Sequence, residues 1–421
     1  MRRIAGVAPT GRLSLKFFVL LLLLSRFLCA ADDTKLRAAL DSHRWFDLRD
    51  AVSLGQAPLI YRFFVAAAFN DVPGAEKELN TAIRSGIDRD RSAAMHYAMY
   101  RLYYRVGRYH KAVLELRQCW AQPGAEEPTA AERADSDAVD HLPDQQLAAR
   151  RPATLRYTNW PQMPVIVAPM AINGQPAQFV LDTDAGMSVT SEAEARRLGL
   201  RAIPGQALFD GITGQRSTNG RYAVADRLRI GGTELRNVAF TVLPDDLEVW
   251  AKIPVEQRGA VGLPVLLAVQ TIQWNRKQKL RLGFPPGSPD LQNANLAFEE
   301  LDPLALIEIA GHKLTVDLDT GTDISTMWPL FVRNFPELLD GSHESTTTIT
   351  GATGPADLRV AVLPELRIVL GGFSLVYRDA PALLSATIPV SNWHYGQLGI
   401  DQLAQASEVT IDFRELKIQL R

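Results

Sequence analysis

The sequence has few residues that could bind metal or form disulfides. It has two cysteines, Cys29 and Cys119, in 421 residues, and seven histidines with no His-x-x-x-His or similar spacing. A cysteine-based zinc centre is thereby excluded, and the histidines give no metal-ligand spacing. A strong charge of either sign is also missing. The net charge of −2 gives no global attraction to nucleic acid or an anionic membrane. Near the N-terminus the apolar run Phe17–Leu24 falls short of the roughly 20 residues a spanning helix needs. Arg2, Arg3, Arg12 and Lys16 precede it, and Cys29, Ala30 and Ala31 follow. That order is the one found in secretory signal peptides, so residues 1–31 are expected to be a leader and the protein exported, periplasmic or secreted. An uncleaved anchor is the competing reading. After cleavage only Cys119 remains, which leaves no intramolecular disulfide and puts stability on the core.

The composition is that of a globular protein, 47% hydrophobic and 22% charged, long enough for two or three domains. Three textures divide it. Residues 32–122 are rich in Ala, Leu, Glu, Arg and Tyr and predict helical hairpins, broken at Asp71–Gly74 and at Gly107. Gly107, Tyr109 and Ala112 have the spacing of tetratricopeptide repeats. Such hairpins either bind a protein partner or only support the rest of the chain. Residues 123–156, rich in Pro, Ala, Asp, Glu and Gln, predict a linker with short helices at most. From 157 onward, short alternating runs of Val, Ile, Leu and Thr punctuated by Gly, Pro and Asn predict an all-β region.

That β region contains two copies of one pattern. INGQPAQFVLDTDAGMSV (172–189) lies over IAGHKLTVDLDTGTDIST (309–326), with Asp182 on Asp319, an offset of 319 − 182 = 137. The same offset sets Ile212-Thr213-Gly214 on Ile349-Thr350-Gly351, and GAVG (259–262) on GQLG (396–399). Each copy ends in a strand–turn–strand pattern, TIQWNRKQKLRL and TIDFRELKIQL. The copies bound a first lobe at 157–284, a linker at 285–298 rich in Pro, Gly and Asn, and a second lobe at 299–421.

In each copy an apolar strand ends at Asp-Thr, followed by a small residue and Ser, a Gly-containing hairpin, and a hydrophobic-Gly segment. This order resembles the retropepsin-like aspartic peptidases over 157–421. The resemblance implies an all-β bilobal acid-protease fold, which the tetratricopeptide-like helical domain, outside the resemblance, precedes in a multidomain chain. It implies an aspartic endopeptidase acting on extended polypeptides, with Asp182 and Asp319 sharing one proton across a pseudo-two-fold axis. That no metal or cofactor is needed is likewise implied only by the resemblance. Thr183 and Thr320 would lock the two loops together. Gly321 would admit backbone N–H groups to the carboxylate, and Ser188 and Ser325 would support the loops. Ile212, Thr213 and Gly214, with Ile349, Thr350 and Gly351, would tip two flaps over the substrate. One chain supplies both lobes, so a monomer completes the pair.

Two letters depart from the pattern. Asp184 stands where the second copy has Gly321, and Gln397 stands in a hydrophobic-Gly segment. Three readings of Asp184 compete. Aspartate tolerates a left-handed backbone better than most residues, so the loop could persist with the enzyme active. An inward carboxyl would instead add a third acid to the pair and raise its pKa values. Or the first lobe is degenerate, and the protein is a non-catalytic peptide-binding or scaffold protein. Asp323 reads as a solvated loop acid, or as the partner of an arginine. The insertion 245–258 is expected to border the cleft.

Overall fold

The computed structural model describes residues 33–421 except 56, 123–126, 161–162, 211–215, 286–290, 352–353 and 386–389. The expected leader lies outside the described residues. Seven helices span residues 33–140: α1 (33–41), α2 (Trp45–Ser53), α3 (Leu59–Ala68), α4 (Val72–Ser85), α5 (Arg89–Arg105), α6 (Tyr109–Trp120) and α7 (Ala130–Asp140). The breaks fall where the sequence places them. Asp71 caps α4 by accepting from Gly74 N, and Gly107, at φ +72°, turns α5 into α6. Tyr109 and Ala112 are fully buried beyond that turn.

The segment 123–156, expected to be a linker, is instead built into the fold in its described part. A Thr129–Glu132 capping box starts α7. The strand Gln146–Ala149 pairs with Thr233–Leu243, and Ala153–Arg156 pairs with Lys279–Leu282. These strands are four residues each and mostly exposed. Their order comes from distant partners rather than from local pattern.

Both lobes open with the same hairpin. Met163–Ile172 runs into Gln175–Leu181 through Asn173 and Gly174 (φ 49° and 83°). Asp302–Ile309 runs into His312–Leu318 through Ala310 and Gly311 (φ 50° and 84°). Two consecutive positive φ angles define a tight turn matched to strand twist. The second strand of each hairpin is exposed at its start and fully buried over its last three residues. The buried end is pinned by a short parallel strand, Gly259–Val261 in the first lobe and Gly396–Leu398 in the second.

Below the lobes, their terminal hairpins pair with each other. Thr271–Asn275 is antiparallel to Glu408–Asp412, with Ile272 opposite Ile411, inside a five-stranded sheet shared by both lobes. The helical domain packs on the same body. Buried Arg105 donates to Glu300 O (2.7 Å), Ala67 O (2.7 Å) and Asn70 Oδ1 (3.1 Å), and stacks over Phe298. One hydrophobic core runs through helices and lobes alike.

Candidate active site

The two hairpin strands deliver Asp182 and Asp319 to facing loops. Asp182 N donates to Val261 O (3.1 Å) and Asp319 N to Leu398 O (3.0 Å), so each aspartate is hung from its hydrophobic-Gly strand. Ser188 Oγ accepts from Gly262 N (3.1 Å), and Ser325 Oγ accepts from Gly399 N (2.8 Å). Leu263 N donates to Ala185 O (2.8 Å), and Ile400 N to Thr322 O (2.9 Å). Each of these bonds in one lobe recurs in the other at the offset of 137 residues.

The threonines join the lobes. Thr183 N donates to Thr320 Oγ1 (3.1 Å), and Thr320 N donates to Thr183 Oγ1 (3.0 Å). Thr183 Oγ1 donates to Leu318 O (2.5 Å), and Thr320 Oγ1 to Leu181 O (2.6 Å). Both threonines are buried, so each of these groups would be orphaned without its partner.

Asp182 Oδ1 accepts from Asp184 N (3.0 Å) and Ala185 N (3.1 Å). Asp319 Oδ1 accepts from Gly321 N (2.7 Å), and its Oδ2 accepts from Gln397 Nε2 (2.6 Å). Burial first, then the Asp182 charge, pushes the Asp319 carboxyl well above the ordinary carboxylate range. Burial also raises Asp182, against the pull of its two backbone donors.

Neither Asp184 nor Gly321 has a positive φ. A left-handed backbone is therefore not what the third position demands, and the strain weighed for Asp184 does not arise. The demand is space. A Cβ on Gly321 would lie 2.6 Å from the Asp182 carboxylate. At the equivalent place in the first lobe stands Asp184, half-buried, with its own carboxyl. Burial, then the charges of Asp319, Asp302, Asp317 and Asp182, push Asp184 well above its ordinary value. It is thus an added acid of the site.

A cavity of about 840 Å³ is lined by Asp182, Asp184 and Gly321, with Trp160, Tyr222 and Trp250; Asp319 is not among its lining residues. The insertion 245–258 borders it through Glu248–Ile253, and α5 reaches it through Tyr104. Ile212, Thr213 and Gly214 lie outside the described residues. Ile349, Thr350 and Gly351 end the strand His343–Gly351, which pairs with Gly354–Leu370 as a long hairpin. Asp323 is half-buried, and no arginine pairs with it among the described residues. No metal-binding group of His, Cys, Asp or Glu occurs among the described residues.

Three features escape the motif. Asp302 faces the cavity, and burial with the Asp317 charge lifts it to about 7. His394 is buried between Asp317 and Glu299, 2.5 Å and 3.1 Å away; Asp317 makes an ion-pair contact off the hydrogen-bond axis. Burial alone would lower its pKa, but these two acids outweigh that and lift it to about 10. Glu299 also bonds His43 and accepts from Trp45 Nε1 (2.9 Å), so this buried cluster ties the helical domain to the second lobe.

Residues 168–265 match the model of a family described as aspartyl protease. Among solved structures, a basic 7S globulin from soybean is similar at 12% identity, covering 64% of this chain and 94% of its own, with a TM-score of 0.37. Conglutin gamma, a basic 7S globulin from lupine seeds, is similar at 10% identity with the same coverage and a TM-score of 0.38. A retropepsin-like aspartic protease from Rickettsia conorii is similar at 17% identity, covering 32% of this chain and 92% of its own, with a TM-score of 0.22. No curated protein matches the chain. The matched stretch lies within the first β lobe and contains Asp182, Thr183 and Asp184.

Proposed function

We propose that the protein is an aspartic endopeptidase that hydrolyses peptide bonds with water activated between Asp182 and Asp319. The observation that carries this reading is the reciprocal Thr183–Thr320 lock, which holds the two aspartate loops face to face. Two buried carboxyls so placed share a proton, because both cannot ionise together. The ionised one takes a proton from a water, whose oxygen attacks the peptide carbonyl carbon. The protonated one donates to the carbonyl oxygen. The tetrahedral intermediate then collapses, the C–N bond breaks, and the departing nitrogen receives a proton. The substrate is an extended polypeptide lying in the cavity under the flap hairpins, and no cofactor enters the reaction. The leader at residues 1–31 would place this activity outside the cytoplasm, and N-terminal sequencing of exported protein tests that.

Purified protein assayed on a casein-type substrate and a peptide library from acid to neutral pH, beside Asp319→Asn, tests the chemistry. Cleavage by the wild type and none by the variant is expected; equal cleavage by both would sink the pair. A second reading rests on Asp184, whose carboxyl occupies space that the second lobe leaves to glycine. In that reading the cleft and the helical hairpins hold peptides without cutting them. Peptide binding with no cleavage at any pH would favour it.

A further inference from the structure

Asp184 and Gln397, the two departures from the family pattern, bear on the same carboxyl. The first-lobe equivalent of Gln397 is Ala260 (397 − 137 = 260), whose methyl offers no donor to Asp182. Asp319 therefore has a donor on each oxygen, Gly321 N at 2.7 Å and Gln397 Nε2 at 2.6 Å. Both backbone N–H groups that donate to the Asp182 carboxyl meet Oδ1, and none meets Oδ2 among the described residues. An amide N–H can only donate, so the oxygen it meets must present a lone pair. A donor on each oxygen favours the carboxylate form, so loss of one donor should raise the carboxyl's pKa.

Gln397 is also well placed to do this. Its backbone is pinned opposite both Asp317 and Thr326, which fixes the direction of its side chain. The other groups around Asp319 are mostly acids. Asp182 and Asp184 come from the first lobe, and Asp302 and Asp317 from the second-lobe hairpin. His394 stands behind Asp317, and Arg101 and Arg105 of α5 act on Asp302.

We propose that Gln397 is a positioning residue whose amide favours the carboxylate form of Asp319, working against the burial and neighbouring acids that disfavour it, Asp184 among them. This rests on the peptidase reading for its catalytic meaning but not for its test. In the full-length protein, carbon-13 NMR would follow the Asp319 carboxyl through a pH titration, with kcat/KM measured alongside.

Gln397→Met keeps the side-chain length and removes the donor. It should move the Asp319 midpoint and the acid limb of kcat/KM up by about one pH unit. Asp184→Gly should move both down. In the double variant the effect of Gln397→Met should fall to less than half, because the two residues act through one carboxyl. If Gln397→Met does not fold, Gln397→Ala, which copies Ala260, carries the same test. An Asp319 midpoint unmoved by loss of the amide, or strictly additive shifts, would overturn the proposal. If the midpoint moves while the wild type cuts no peptide, the positioning role stands and the peptidase reading falls.

Discussion

The glycine of the Asp-Thr-Gly turn is a matter of clearance rather than of backbone freedom. Gly321 has an ordinary φ, and what it lacks is the atom that would press on Asp182. The departure at Asp184 was legible in the sequence because the second copy states the rule. Its consequence was not legible, since the close approach joins Gly321 to Asp182, 321 − 182 = 139 residues apart. Gln397 was visible as an odd letter, but its target lies 78 residues away along the chain. Asp302 looked like any strand-start acid until burial and Asp317 set it apart. Its pKa is raised from 3.8 to about 7, so the folded state binds its proton more tightly than the unfolded chain does. The stability this supplies is complete below about pH 4 and is lost as pH rises through about 7. Asp302→Asn should therefore flatten the fall in Tm between pH 5 and 8 while changing little at pH 4. Parallel wild-type and variant curves would contradict this. At the lock, Thr320→Val should destabilise by about 2 kcal/mol, measured by urea unfolding, because Leu181 O and Thr183 N lose their partner in a buried site.

Among the elements, the duplicated hairpins show how much local pattern can fix. Apolar strands, Gly turns and the Asp-Thr ends were readable from letters alone, because each copy checked the other. The strands Gln146–Ala149 and Ala153–Arg156 were not readable, since their pairing is entirely non-local. The Thr129–Glu132 capping box of α7 was not read from the sequence, where the polar composition around it pointed to a linker. The two hairpin turns differ at one useful position: Ala310 takes the left-handed conformation that Asn173 takes in the first lobe. Alanine pays roughly 1 kcal/mol there, and asparagine less. Ala310→Asn should raise stability by about 0.5–1 kcal/mol, seen as a higher urea midpoint at unchanged slope; a lower midpoint would refute it. Glu299 links three elements at once. Burial alone would raise its pKa, but the hydrogen bonds from His394 and His43 hold it at about 2. Its contribution is present above about pH 4.5 and is lost as pH falls through about 2. Glu299→Gln should lower the Tm at pH 7 by several degrees, with little loss at pH 2.

On the scale of the whole molecule, helices and lobes share one core, and the shared sheet below the lobes is built from both of them. Calorimetry should show a single unfolding transition. Two resolved transitions would mean that the helical domain folds apart. Arg105, buried and bonded to two carbonyls and Asn70, is a strong test of that union. Arg105→Met should lower the Tm of that single transition.

The position of the threonine lock also has a mechanical meaning. Bonds that cross between the lobes sit at the aspartates themselves, with the shared sheet beneath them. If one lobe rocks against the other to admit a chain, the lock acts as the fulcrum. Points on a fulcrum move least, so the spacing between Asp182 and Asp319 stays nearly constant while strands farther out, such as His343–Gly351, move more. In the peptidase reading the chemistry thereby sits on the hinge pin, insulated from the motion that feeds it.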